Sequence, residues 1–151
     1  MASIEGLSYI VEQGEAETRL ETVEQVCDLL DRIAASESAD VSVVIDRGRR
    51  PSWLKRLFGF SERMVTPCFI LQKAGGVAAL TFLDEAWSEY RAIDKDRPDG
   101  ISEDIRHKLS GGEPTPADPE VCMTAERAFV AARHYLRRGT RPDWLSYRYV
   151  R

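Results

Sequence analysis

The sequence predicts a single α+β domain over residues 1–151: a mainly antiparallel sheet with two principal helices packed on it. Three observations carry that expectation. Two segments, Val23 to Ala35 and Ala125 to Arg138, repeat apolar residues at helical spacing. Several shorter segments alternate or are rich in β-branched residues, as strands are. Two apolar runs, CFILQ and VAALTFL, are separated by little more than Ala74-Gly75-Gly76, which favours a tight hairpin and therefore antiparallel pairing. The expected order is β-α-β-β-β-(β)-α-β.

Each element has a local cause. GLSYIVE, from Gly6 to Glu12, alternates and suits a first strand. Thr22 can cap the next helix, with Gln25 as its reciprocal partner three residues on. Val23, Val26, Cys27, Leu30, Ile33 and Ala34 then form one stripe, and the outer face is acidic. VSVVIDR, Val41 to Arg47, reads as a strand. The following stretch, GRRPSWLKRLFGFSER, mixes basic residues with Trp53, Leu54, Leu57, Phe58 and Phe60. It suits either a long loop holding a short helix capped by Ser52, or a flap packing its aromatics on the sheet.

After the hairpin, AWSEYRAID suggests a further short strand with Trp87 and Tyr90. Between Asp96 and Pro119 the pattern leaves a helical turn and a strand both open. Ile101, Ile105 and Leu109 are four apart, but the flanks are turn-rich. Thr124 then caps the second long helix, whose stripe is Ala125, Ala128, Phe129, Ala132, Tyr135 and Leu136. Arg137 and Arg138 suit its C-terminal end, Gly139 suits the left-handed residue that stops it, and Pro142 prevents a restart. WLSYRYV closes the order as a strand, with Leu145, Tyr147 and Tyr149 on one face and Trp144, Ser146 and Arg148 on the other.

The chain of 151 residues, 43% hydrophobic and 30% charged, has the composition of an ordinary globular domain with its own core. No apolar run approaches the roughly 18–20 residues that cross a bilayer. The start, MASIEGLSYIVEQGE, lacks the basic and apolar regions of a signal peptide, so a cytoplasmic protein is expected. Cys27, Cys68 and Cys122 are an odd, widely spaced set, which suggests reduced and mostly buried thiols. The net charge of −4 hides a segregation. Acids dominate from Met1 to Asp40 and from Asp84 to Asp104, while bases dominate from Arg47 to Arg63 and from Arg127 onward. Such runs either steer a charged partner or pair with each other in the fold.

Motifs of chemistry are missing. No CxxC, HxE or HExxH spacing supplies zinc ligands, and Pro67-Cys68 has no second cysteine nearby to complete a zinc deaminase pattern. Nothing flanking the cysteines or His107 and His134 supports a Cys–His nucleophile pair. AGGVAA lacks the GxGxxG spacing, and SGGE is followed by no Lys-Ser/Thr. The adjacent acids Asp84 and Glu85 read as a solvated turn rather than as an acid–base pair. RRPSWLKRLFGF has a nucleic-acid-binding look, but the overall acidity opposes it. The expectation is a binding module with no catalytic residue, cofactor or metal. Trp53, Trp87, Tyr90 and Trp144 serve either as interface anchors or as sheet-covering residues.

The C-terminal unit, TAERAFVAARHYLRRGTRPDWLSYRYV, resembles the C-terminus of immunity protein family 1 of bacterial polymorphic toxin systems. Members typically end in an alanine-rich amphipathic helix, a Gly-x-Arg-Pro turn and a short aromatic strand. Here the turn is Gly139, Thr140, Arg141 and Pro142, followed by Trp144, Leu145 and Tyr147. Tyr147 stands where the family usually has Trp. The hairpin FILQKAGGVAALTFLDE is similar to the family's central hairpin, whereas the Arg47 to Arg63 stretch departs from its pattern. In structural terms Gly139 and Pro142 make the turn a folding device, and Arg141 is free to pair with a carboxylate.

The resemblance implies a protein that neutralises a cognate toxin, often a nucleic-acid deaminase, in the cytoplasm. It would do so by blocking the toxin's active site or substrate path, with no direct contact to nucleic acid or membrane. A toxin acting on nucleic acid presents a basic surface, which the acidic runs suit. The expected toxin-binding residues are Asp84, Glu85, Trp87, Glu89, Tyr90 and Asp94, after the hairpin. The basic Trp53 to Phe60 loop is the runner-up surface. The alternatives are a non-catalytic regulatory or adaptor domain that binds another protein, and a small enzyme using a cysteine or carboxylates.

Overall fold

Glycine turns and alternating strands build an antiparallel sheet. A computed structural model describes residues 7–49 and 63–150. The basic aromatic stretch from Trp53 to Phe60, with its Ser52 cap, and Gly6 of the first expected strand lie outside the described residues. Strand β1 (Ser8–Gln13) turns through Gly14 into β2 (Ala16–Leu20). Helix α1 (Val23–Ala34) leads to β3 (Ser38–Arg49), and β4 (Arg63–Ala74) forms the hairpin with β5 (Val77–Leu83) through Gly75 and Gly76. Next come β6 (Glu89–Ile93), the short helix α2 (Glu103–Lys108), a 3-10 turn (Pro119–Val121) and β7 (Met123–Thr124). Helix α3 (Ala125–Arg138) and β8 (Ser146–Tyr149) complete the order.

Every pairing is antiparallel, in the spatial order β2-β1-β3-β4-β5-β6-β8, with β7 on the free start of β5. The α+β class is therefore as expected, and the order gains two strands. β2 is one of them, because AETRL is mostly polar and exposed and gives no strand signal. β7 is the other and is only two residues long. β3 also runs longer at both ends than Val41 to Arg47.

Both long helices pack on one face of the sheet. That face supplies Val11, Val41, Val43, Phe69, Leu71, Leu80 and Phe82. Against it α1 buries Val26, Cys27, Leu30 and Ile33, and α3 buries Ala128, Phe129, Ala132 and Leu136. Phe82 is the junction: its ring lies 6.3 Å from Phe69, 5.2 Å from Tyr135 and 6.0 Å from Tyr147, joining β4, α3 and β8. Truncating such a ring costs about 3–5 kcal/mol. The opposite face carries a smaller cluster, Ala74, Ala79, Leu109 and Cys122, with Ile101 and Ile105 against it. The four-residue spacing of Ile101, Ile105 and Leu109 thus belongs to the helical turn around α2, started by the Ser102 side chain on the Ile105 N–H.

The helix ends follow the sequence signals. The Thr22 hydroxyl accepts the Gln25 N–H at 3.2 Å, and the Gln25 side chain accepts the Thr22 N–H at 3.2 Å. Gly139 takes φ +73°, and its N–H donates to the Tyr135 carbonyl at 2.8 Å. Much of the segregated charge pairs internally, since Asp31 meets Arg133 at 2.8 Å and Glu24 meets Arg137 at 3.4 Å between the two long helices. Arg148 meets Asp118 at 3.3 Å and also Glu120.

Candidate functional site

The turn between β5 and β6 is built by one carboxylate. Asp84 Oδ1 accepts the N–H groups of Ala86 and Ser88, both at 2.9 Å, and Oδ2 accepts the Tyr90 hydroxyl at 3.3 Å. The Asp84 carbonyl accepts the Trp87 N–H at 2.9 Å. These bonds, the Ser88 N–H first, hold the Asp84 carboxyl below the usual carboxylate range. Desolvation, then the Asp84 charge and its hydrogen bond, raise the Tyr90 phenol.

The turn forces Trp87 into φ +64°, the one positive φ of a non-glycine residue among the described residues. An L side chain in that region costs roughly 1–2 kcal/mol. Trp87 is also 54% exposed, so the indole does not recover that cost by burial in its own core. A bulky residue held in a strained, exposed turn is a sign of use beyond folding. Tyr149 (62% exposed) and Val150 (40%) stand at the same end of the sheet. Tyr149 pairs with Tyr90, and the Val150 N–H reaches the Glu89 carbonyl at 3.0 Å.

Behind the turn, on the helix face, lies a groove of about 610 Å³ floored by Phe82 and Tyr135 and walled by Tyr90, Tyr147 and the Gly139–Asp143 turn. Arg141 lies between two rings, 4.0 Å from the Tyr90 centroid and 4.7 Å from that of Tyr147. The carboxylate expected for Arg141 is thus replaced by two tyrosines, with no ion pair to it among the described residues. The Tyr147 hydroxyl donates to the Pro142 carbonyl at 2.6 Å, which closes the turn onto the strand.

The six residues expected to form the contact surface do not stay together. Asp84, Glu85 and Trp87 form the turn, and Tyr90 follows in the groove. Glu89 lines the opposite face of the sheet with Arg91 and Arg148. Asp94, at the far end of β6, is only 1% exposed and holds Arg127 of α3. It braces the core and presents no surface to a partner. Tyr149 and Val150 join the turn without having been expected there. Their signal is the aromatic alternation of SYRYV running beyond the cover of the helix.

Trp144 lies in the turn before β8, with Arg127 stacked 4.4 Å over its ring. All three thiols are buried and unpaired. Burial pushes each of them up, Cys68 to about 12, which opposes thiolate chemistry. Among the described residues no three His, Cys, Asp or Glu side chains gather as a metal site. No helix there is long and apolar enough to cross a membrane. A comparison with protein-family models finds no match, and a search of curated proteins finds no significant relative.

Proposed function

We propose that this chain is an immunity protein that binds and neutralises a cognate bacterial toxin, without chemistry of its own. It does so by covering the toxin's active site or substrate path. The observation that carries the reading is Trp87, held exposed at positive φ on an acidic turn whose shape Asp84 fixes. A rigid, preformed aromatic anchor beside Asp84 and Glu85 suits a basic protein surface, such as that of a toxin acting on nucleic acid. The likeness of the C-terminal helix, GTRP turn and aromatic strand to immunity protein family 1 supports the same reading. The contact surface is Asp84, Glu85, Trp87 and Tyr90, joined by Tyr149 and Val150.

The test is co-expression with the product of the adjacent upstream gene. Rescue of growth together with co-purification supports neutralisation, and Trp87→Ala and Glu85→Lys then weaken the complex. Binding to a neighbour that is not toxic favours an adaptor instead. A toxic neighbour that is neither bound nor neutralised ends the proposal.

A further inference from the structure

The two edges of the sheet are finished differently. β2 presents the exposed charged residues Glu17 and Arg19, which discourage further pairing. β8 presents Tyr147 and Tyr149, with exposed Val150 beside them. The Val150 N–H bonds to the Glu89 carbonyl, and hydrogen-bonded pairs alternate along an antiparallel ladder. Arg148 opposite Arg91 and Ser146 opposite Ile93 are therefore the bonded pairs between β8 and β6. The N–H and C=O groups of Tyr147 and Tyr149 point away from β6, and β8 has no second strand neighbour among the described residues.

We propose that β8 is a docking edge for an extended segment of a protein partner, added to the sheet as a further strand and carrying a basic side chain near the Asp84–Glu85 turn. The outward amides, met by no strand among the described residues, supply the pairing, and Trp87, Tyr149 and Val150 supply apolar contact at the same end. The acids of the turn set the charge preference. Arg148 does not oppose it, because Asp118 and Glu120 neutralise its guanidinium. The proposal deepens the toxin-binding reading and rests on it only for the identity of the partner.

The test works whatever that partner is. A phage-displayed library of random dodecapeptides is selected on the full chain and on two variants. Tyr149→Pro removes an outward N–H without touching a bond to β6, and proline is tolerated at such edge positions. Tyr149→Ala removes the ring and keeps the amide. Strand addition predicts peptides that alternate β-branched and basic residues, bind the Ala variant, and weaken on the Pro variant by about 30-fold or more. It also predicts slowed hydrogen exchange at the Tyr147 and Tyr149 amides in the peptide complex, with the outward Glu17 and Arg19 amides of β2 unchanged. That exchange measurement decides the matter alone if the Pro variant does not fold.

Four results with the purified chain overturn the proposal. They are no enriched peptide, equal binding to the Pro variant, unprotected Tyr147 and Tyr149 amides, or a wild-type dimer in sedimentation that Tyr149→Pro dissolves, which makes a second copy the occupant. Full toxin rescue by Tyr149→Pro also removes strand addition and leaves neutralisation standing. An edge that binds peptides in a chain whose neighbour is not toxic keeps this proposal and ends the toxin reading.

Discussion

Arg127 grips the buried carboxylate of Asp94 with two nitrogens, Nε on Oδ2 and a terminal nitrogen on Oδ1 at 3.2 Å. That edge of the guanidinium holds the carboxylate, and its face stacks on Trp144. One side chain of α3 therefore fastens the end of β6 and the turn that leads into β8. The Asp94 side chain is wholly buried, while that of Arg127 is 36% exposed.

Arg127→Met leaves the Asp94 charge buried without its counter-ion. The expected loss is about 3 kcal/mol, at the low end for a broken buried pair because Arg127 is partly solvated. Urea unfolding measures it. Adding Asp94→Asn to the Met variant removes the stranded charge and should restore part of the loss. A double variant no more stable than Arg127→Met would show that the pair is not the source.

Trp87→Gly should separate stability from binding. Glycine accepts φ +64° without strain, so the variant is expected to gain about 1 kcal/mol, or about 3 °C in Tm for a chain of this size. Partner affinity should fall about 30-fold or more if the indole is the anchor. Calorimetry and a binding titration check the two parts. A loss of stability would mean that the indole packs more than its exposure suggests.

Acid should loosen the β5–β6 turn in a defined window. The Asp84 carboxyl is held below its ordinary value of about 3.9, mainly by the Ser88 N–H, then by the Ala86 N–H and the Tyr90 hydroxyl. A depressed carboxylate stabilises the fold fully above its unfolded value, and the contribution is lost as pH falls through the folded one. The amide proton shifts of Ala86 and Ser88 should titrate together, with a midpoint below about pH 3.9, and Asp84→Ala should abolish the step. A midpoint at or above that value contradicts the assignment.

Tyr147→Phe tests the GTRP turn. It deletes the bond to the Pro142 carbonyl and keeps the ring against Phe82, so a cost of about 1 kcal/mol is expected. Burial pushes the Tyr147 phenol up to about 12. Its stabilising contribution is thus complete below the unfolded value of about 10 and disappears as pH rises through the folded one. Several phenols are raised, Tyr147 to about 12, so phenolate absorbance should lose one late-titrating tyrosine in the Phe variant. No change in the titration would place the shifted phenol elsewhere.

Local signals were legible in the sequence, and pairings between distant residues were not. The Thr22–Gln25 box, the Gly75-Gly76 hairpin, the Gly139 stop and both amphipathic helices depend on near neighbours, and each formed where expected. β2 escapes notice because an exposed edge strand has no apolar alternation to display. Asp94 reads as a surface acid because its partner lies 33 residues away, and spacing does not reveal such a pair. The turn acids and Trp87 are marked by their position after the hairpin. The positive φ of Trp87 has no signal, since glycine or asparagine ordinarily marks such a site. Tyr147 has a role that its alternation does not disclose, because the Pro142 carbonyl comes within reach only through the turn at 143–145.

The order of the strands also sets an order of assembly. From β3 to β6 each strand pairs with the next one made, and β3 reaches back past β2 and α1 to β1, whereas β8 reaches β6 only after α2, β7 and α3 have intervened. Contacts between near neighbours in the chain form sooner than those that close long loops. A sheet of β1 to β6 that pairs first would leave Phe69, Leu80 and Phe82 facing water until α3 docks. During that interval the nascent chain is at its most adhesive, and the speed with which α3 docks governs how much of it escapes misassociation.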